Sequence, residues 1–126
     1  MAPEQNPAPI PAQIMVVEDD VMVRTTIAEA LRAAGLQVIE AASGDEAWSF
    51  LLSGSNVDLI FSDIQMPGSI DGVSLAKRVK ENYPAITVIL TSGRPLSDPA
   101  AYPHFFAKPY RLANVVAMIT SLLEKQ

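Results

Sequence analysis

Four apolar runs in this 126-residue sequence each end on a residue type able to do chemistry. Gln13–Val17 is closed by Glu18-Asp19-Asp20, and the run from Val57 by Asp63. Ile86–Leu90 is closed by Thr91-Ser92, and Phe105-Phe106 leads into Lys108. Brought to one place, the carboxylates would repel, a single pair at ~4 Å costing about 4 kcal/mol at an effective dielectric of roughly 20. One lysine does not offset that. A hard divalent cation does, and Mg²⁺ is satisfied by one or two carboxylates, water and a phosphate oxygen. A carboxylate beside such an ion can act as a nucleophile toward phosphorus and form an aspartyl-phosphate. Lys108 would then neutralise phosphoryl oxygens, and the Thr91 hydroxyl would hydrogen-bond one of them. Taken singly, each residue has a plainer use. Asp63 can hydrogen-bond its own turn, Glu18-Asp19-Asp20 can cap a helix and complement its dipole, Thr91-Ser92-Gly93 can be an ordinary turn, and Lys108 a solvated charge. Their joint placement, each at the end of an apolar run, favours the site.

The elements that must position these residues can be read in order. Gln13–Val17 is a first strand. Val23, Ile27, Ala30, Leu31 and Ala34 recur at helical steps over 21–34, with Gly35 as the stop. Leu36–Glu40 is a second strand, and Ser43-Gly44-Asp45-Glu46 has the spacing of a capping box, opening a helix that carries Ala47, Trp48, Phe50 and Leu51. The run ending at Asp63 is a third strand. Val73, Ala76 and Val79 mark a third helix, stopped before Tyr83-Pro84. Ile86–Leu90 is a fourth strand, Phe105-Phe106 a brief fifth, and Leu112, Val115, Val116, Ile119, Leu122 and Leu123 make a final helix. Strands alternating with helices imply an α/β fold, a parallel sheet wound on both faces. Right-handed crossovers put every carboxyl end on one edge, the edge where ligands bind in such sheets. The sequence scatters the polar residues and the topology gathers them.

Composition narrows the function. The length suits one domain over 13–126, preceded by a Pro/Ala-rich tail over 1–12 expected to be disordered or polyproline-like. A net charge of −5 argues against a nucleic-acid surface. No apolar run approaches the roughly 20 residues of a membrane helix. The start lacks the pattern of a signal peptide, and there is no cysteine, so a cytoplasmic protein is expected.

The ordered set Val16-Val17-Glu18-Asp19-Asp20, Asp58-Leu59-Ile60-Phe61-Ser62-Asp63 with Ile64-Gln65-Met66-Pro67, Leu90-Thr91-Ser92 and Lys108-Pro109 resembles the receiver domain of two-component response regulators. The resemblance covers about residues 13–124. It implies a flavodoxin-like, doubly wound five-stranded parallel sheet of order 2-1-3-4-5. It implies that Asp63 is the phosphoacceptor, taking phosphate from a sensor histidine kinase or a histidine phosphotransfer protein. It further implies Mg²⁺ ligation by Asp19 and Asp63, by Glu18 through water and by the Gln65 backbone carbonyl, with Lys108 pairing the phosphate. Thr91 would be the switch hydroxyl and Phe105 the aromatic that moves with it, although core packing of Phe105 is an equal reading. Asp20 takes no metal role.

Two stretches depart from the family pattern. Gly93, Pro95, Pro99 and Pro103 make a regular fourth helix unfavourable, so a loop or one short turn is expected over 92–104. Met66–Gly72 looks one residue longer than usual, which should bulge that loop without moving Asp63. The expected function is a single-domain response regulator, a phosphoacceptor rather than an enzyme on other substrates, that signals to a downstream protein by contact or passes phosphate on. A constitutive receiver-like scaffold is the competing reading. An unrelated Mg²⁺-dependent phosphotransferase is disfavoured by the lack of a phosphate-cradling Gly-rich loop. His104, beside aromatics, is expected to pack or face solvent rather than ligate.

Overall fold

The computed structural model describes residues 11–96 and 98–124. The expected tail falls largely on 1–10, outside the described residues. Five strands form one sheet: β1 (Gln13–Val17), β2 (Gln37–Ala41), β3 (Leu59–Asp63), β4 (Thr87–Ser92) and β5 (Phe105–Ala107). Their order is β2-β1-β3-β4-β5 and every pairing is parallel, as the resemblance implied. Among the described residues the α-helices are α1 (Val21–Ala33), α2 (Gly44–Leu52), α3 (Gly72–Asn82) and α4 (Leu112–Glu124).

Alternate residues of a strand point to opposite faces, and the central strands are apolar on both. Met15, Val17 and Ile60 face Leu51 of α2 and Leu75 and Val79 of α3. Ile14, Val16, Leu59 and Phe61 face Ile27 and Leu31 of α1 and Val115 and Ile119 of α4. Phe61 also meets Tyr110 edge-on at 5.9 Å. Among the described residues, no helix is long and apolar enough to cross a membrane.

Boundaries follow local chemistry. Asp20 accepts from the Met22 and Val23 amides and so caps α1, and Gly35 takes φ +91° just past its end. Ser43 accepts from the Glu46 amide as a capping box requires, but the Glu46 carboxylate reaches one residue further back, to the Ala42 amide at 2.7 Å. β2 begins at Gln37 and β4 at Thr87, each one residue later than expected.

The β4–β5 crossover departs most from a regular winding. Its described residues contain one 3-10 turn, Pro99–Ala101, and no α-helix. Proline lacks a donor and biases the residue before it away from helix, and Pro95, Pro99 and Pro103 are spaced so that no helical run fits between them.

Candidate functional site

Register decides which residues meet. Asp63, the last residue of β3, is paired with Thr91 of β4. Val17 of β1 is paired with Ser62, which brings the Glu18-Asp19 step beside the end of β3. Ser92 is paired with Ala107 of β5, and the Lys108 amide donates to the Ser92 carbonyl at 2.9 Å. Lys108 thus completes the same edge.

The side chains converge there. Glu18, Asp19 and Asp63 each present a carboxylate oxygen, all within 4.8 Å of one another. Glu18 and Asp63 are buried and Asp19 is exposed. The Lys108 ammonium donates to Asp63 Oδ2 at 3.0 Å and to Glu18 Oε1 at 3.5 Å. Glu18 Oε2 accepts from the Asp20 amide, and its carbonyl from the Arg24 guanidinium at 2.8 Å. The acidic triplet therefore divides its labour: Asp20 caps α1 while Glu18 and Asp19 join the cluster.

Electrostatics reflect the crowding. Burial pushes the Glu18 carboxyl above its ordinary range, aided by Asp19 and the Asp63 charge and opposed by the Asp20 amide and Lys108. Burial alone would lower Lys108, but the Asp63 hydrogen bond and the Glu18 and Asp63 charges outweigh it and hold the ammonium above its ordinary value. Burial also raises the Tyr110 hydroxyl, with Lys108 opposing.

Two polar atoms in this edge are buried with no hydrogen-bond partner among the described residues, Asp63 Oδ1 and Thr91 Oγ1. A buried oxygen left unpaired costs about 1–3 kcal/mol. These two are neighbours in register, and both would be satisfied by an incoming group with donor and acceptor sites. All-oxygen donors of this kind suit a hard cation such as Mg²⁺, so the residues present fit that ion.

The remaining expected site residues lie around this centre. Gln65 is exposed on the loop leaving β3, and its Oε1 accepts from the Ser92 hydroxyl at 2.7 Å. Phe105 is half-buried against a cluster of Ile64, Ala76 and Leu90. His104 is half-buried, its carbonyl accepting from the Leu90 amide at 3.1 Å, and it lines a separate groove.

Sequence reasoning missed the residues that hold the loop. Asp45, in the first turn of α2, accepts from the Ile70 amide at 2.8 Å and from the Ser69 amide and hydroxyl. Gly68 turns the Met66–Gly72 stretch at φ +103°. A Cβ on Gly72 would lie 2.3 Å from the Asp63 carbonyl oxygen, and one on Gly44 would lie 2.2 Å from that of Ile70. The loop is therefore clamped, and Asp63 keeps its place in β3.

Comparison with known proteins follows the same lines. The family model for the response regulator receiver domain matches residues 14–120. The sensor kinase CckA of Brucella abortus (strain 2308) is 35% identical over 123 residues, which is 91% of this chain and 13% of that protein. The CheY-like receiver domain protein of Methanospirillum hungatei JF-1 superposes with a TM-score of 0.83 at 19% identity, covering 92% of this chain and 96% of that one. The response regulator TrrA of Thermotoga maritima, solved in complex with Mg²⁺–BeF, has a TM-score of 0.78 at 26% identity and covers 88% of this chain and 98% of its own. The strand order, the acidic edge and the match over 107 of its positions (14 to 120 inclusive) agree: this chain belongs to the response regulator receiver domain family.

Proposed function

We propose that Asp63 accepts a phosphoryl group from a phosphohistidine of a sensor histidine kinase or a histidine phosphotransfer protein, and that the modified form signals by protein–protein contact. The observation that carries this reading is the pair of orphaned oxygens, Asp63 Oδ1 and Thr91 Oγ1, beside a lysine already bonded to the other Asp63 oxygen. A carboxylate oxygen of Asp63 attacks phosphorus, the P–N bond to the imidazole breaks, and the ring leaves with that electron pair and takes up a proton. Lys108 pairs with the phosphoryl oxygens and the Thr91 hydroxyl donates to one of them. Glu18, Asp19, Asp63 and the Gln65 backbone carbonyl would hold Mg²⁺, which when bound supplies positive charge against the carboxylates and the transferred group. Later attack of water on the same acyl-phosphate returns the carboxylate.

In the output step, the new charge of about −1.5 to −2 on Asp63 draws Thr91 toward it, and Phe105 repacks into the space that Thr91 leaves. The partners are proteins. A net charge of −5 opposes direct nucleic-acid contact, and a kinase or phosphotransfer donor of this kind places the chain in the cytoplasm.

The test is incubation with Mg²⁺ and an acyl-phosphate donor, followed by intact-mass measurement. Wild type should gain one acid-stable, base-labile phosphate, chelation of Mg²⁺ should prevent it, and Asp63→Asn should gain none. A wild type that stays unmodified by both donor and kinase would favour a constitutive scaffold.

A further inference from the structure

Parallel sheets are covered on both faces by the helices of their crossovers. Beside α3 that cover is incomplete, because the described residues of the β4–β5 connection form one short turn, Pro99–Ala101, and no α-helix. What remains is a groove of about 440 Å³ whose lining includes the apolar Ala76, Ile86 and Val88 and the ring of Tyr102. Lys77 and Lys80 of α3 line its rim and are exposed. Among the described residues no carboxylate lines it, in a chain with 14 Asp and Glu against 9 Lys and Arg.

The other basic side chains of the core elements are engaged. Arg24 and Arg32 pair with Glu40, Lys108 pairs with Glu18 and Asp63, and Arg78 lies over the Trp48 ring at 5.5 Å. Among the described residues, Lys77 and Lys80 make no ion pair. We propose that this groove is a docking site for an acidic segment of a partner protein, whose apolar side chain seats over Ile86 and Val88 while flanking carboxylates meet Lys77 and Lys80. Apolar anchoring gives the affinity and the rim charges give selectivity and approach rate. The site does not require phosphorylation of Asp63.

The experiment is a titration of the unmodified full chain, followed by amide NMR, with two synthetic 12-residue peptides. One alternates Asp and Glu with Leu at helical spacing, and the other carries Lys at every acidic position. The acidic peptide should shift amides of 76–80, 86–88 and 101–104 saturably. Lys77→Glu/Lys80→Glu should weaken it about tenfold at low salt while leaving the fold's spectrum intact, and Lys77→Arg/Lys80→Arg should retain binding. Four outcomes overturn the proposal. These are no saturable shift at the groove, equal binding of the basic peptide, dimerisation that protects these amides (a second copy as occupant), and their movement on deletion of residues 1–12 (the chain's own tail as occupant).

Discussion

Two connections leave the acidic edge from neighbouring strands and are held in opposite ways. The one after β3, 64–71, is fastened at three points: Asp45 holds Ser69 and Ile70, Gly72 lets α3 press on the Asp63 carbonyl, and Gln65 accepts from Ser92. The described residues of the one after β4, 93–104, form one short turn, and Gly93 sits in open space. The fastened loop carries the proposed cation ligand, and the loose one follows the proposed switch hydroxyl. A preorganised site lowers the cost of assembling the charged centre, whereas a segment that must change state is drawn from the less stable end of the molecule. On the proposed function, the chemistry is built in advance and the response falls to the less fastened segment.

The sharpest break of this contrast is a pair of matched substitutions. Gly72→Ala forces a Cβ against backbone that cannot yield, and should destabilise by about 3 kcal/mol in urea unfolding. Gly93→Ala meets nothing within 4 Å and should stay within about 0.5 kcal/mol of wild type. Comparable losses at both positions would erase the distinction. Next, Asp45→Ala removes the acceptor for Ser69 and Ile70 and should cost about 1.5 kcal/mol, with faster amide exchange at 69–70 and unchanged exchange at 100–104.

A smaller effect has the opposite sign. Because the Glu18 carboxyl is raised above 4.5, the folded state binds its proton more tightly than the unfolded chain. Stability therefore falls as pH rises from the ordinary carboxylate range through the raised value. In chelator, Glu18→Gln should raise unfolding stability at pH 7 by about 1 kcal/mol, and the gain should fade as pH is lowered toward 4.5. Lys108 has the same slope in a higher pH window. Its raised value stabilises the fold below 10.5 and that contribution is lost as pH climbs past the raised value. The smallest expectation concerns dynamics alone: amides of 94–104 should exchange faster than those of 69–72, with no change in global stability.

Much of this was legible because strand ends are legible. An apolar run that stops at Asp63, Thr91 or Lys108 announces both the strand and its edge, and parallel winding does the rest. The absent helix in the β4–β5 crossover was legible too, since proline spacing acts locally. Within Glu18-Asp19-Asp20 the resemblance already left Asp20 out of the metal set, but its use as the sole cap of α1 was not legible, because that depends on where the chain turns into the helix. Asp45 was hidden for a different reason. An acid in a helix's first turn reads as a dipole partner, and its actual partners lie 24 and 25 residues away. Gly44 and Gly72 carried no signal of their own in the sequence, and what they supply is closeness between backbones. Ser92 read as turn material, yet its hydroxyl joins both connections, donating to Gln65 and accepting from the Arg94 amide at 3.0 Å.

The ammonium that completes the site comes from the end of the last strand, 90 residues after Glu18 and 45 after Asp63. A chain lacking that strand would leave Glu18 and Asp63 without the ammonium that pairs with both. Only once β5 has docked does the acidic edge gain the cation that partners Glu18 and Asp63.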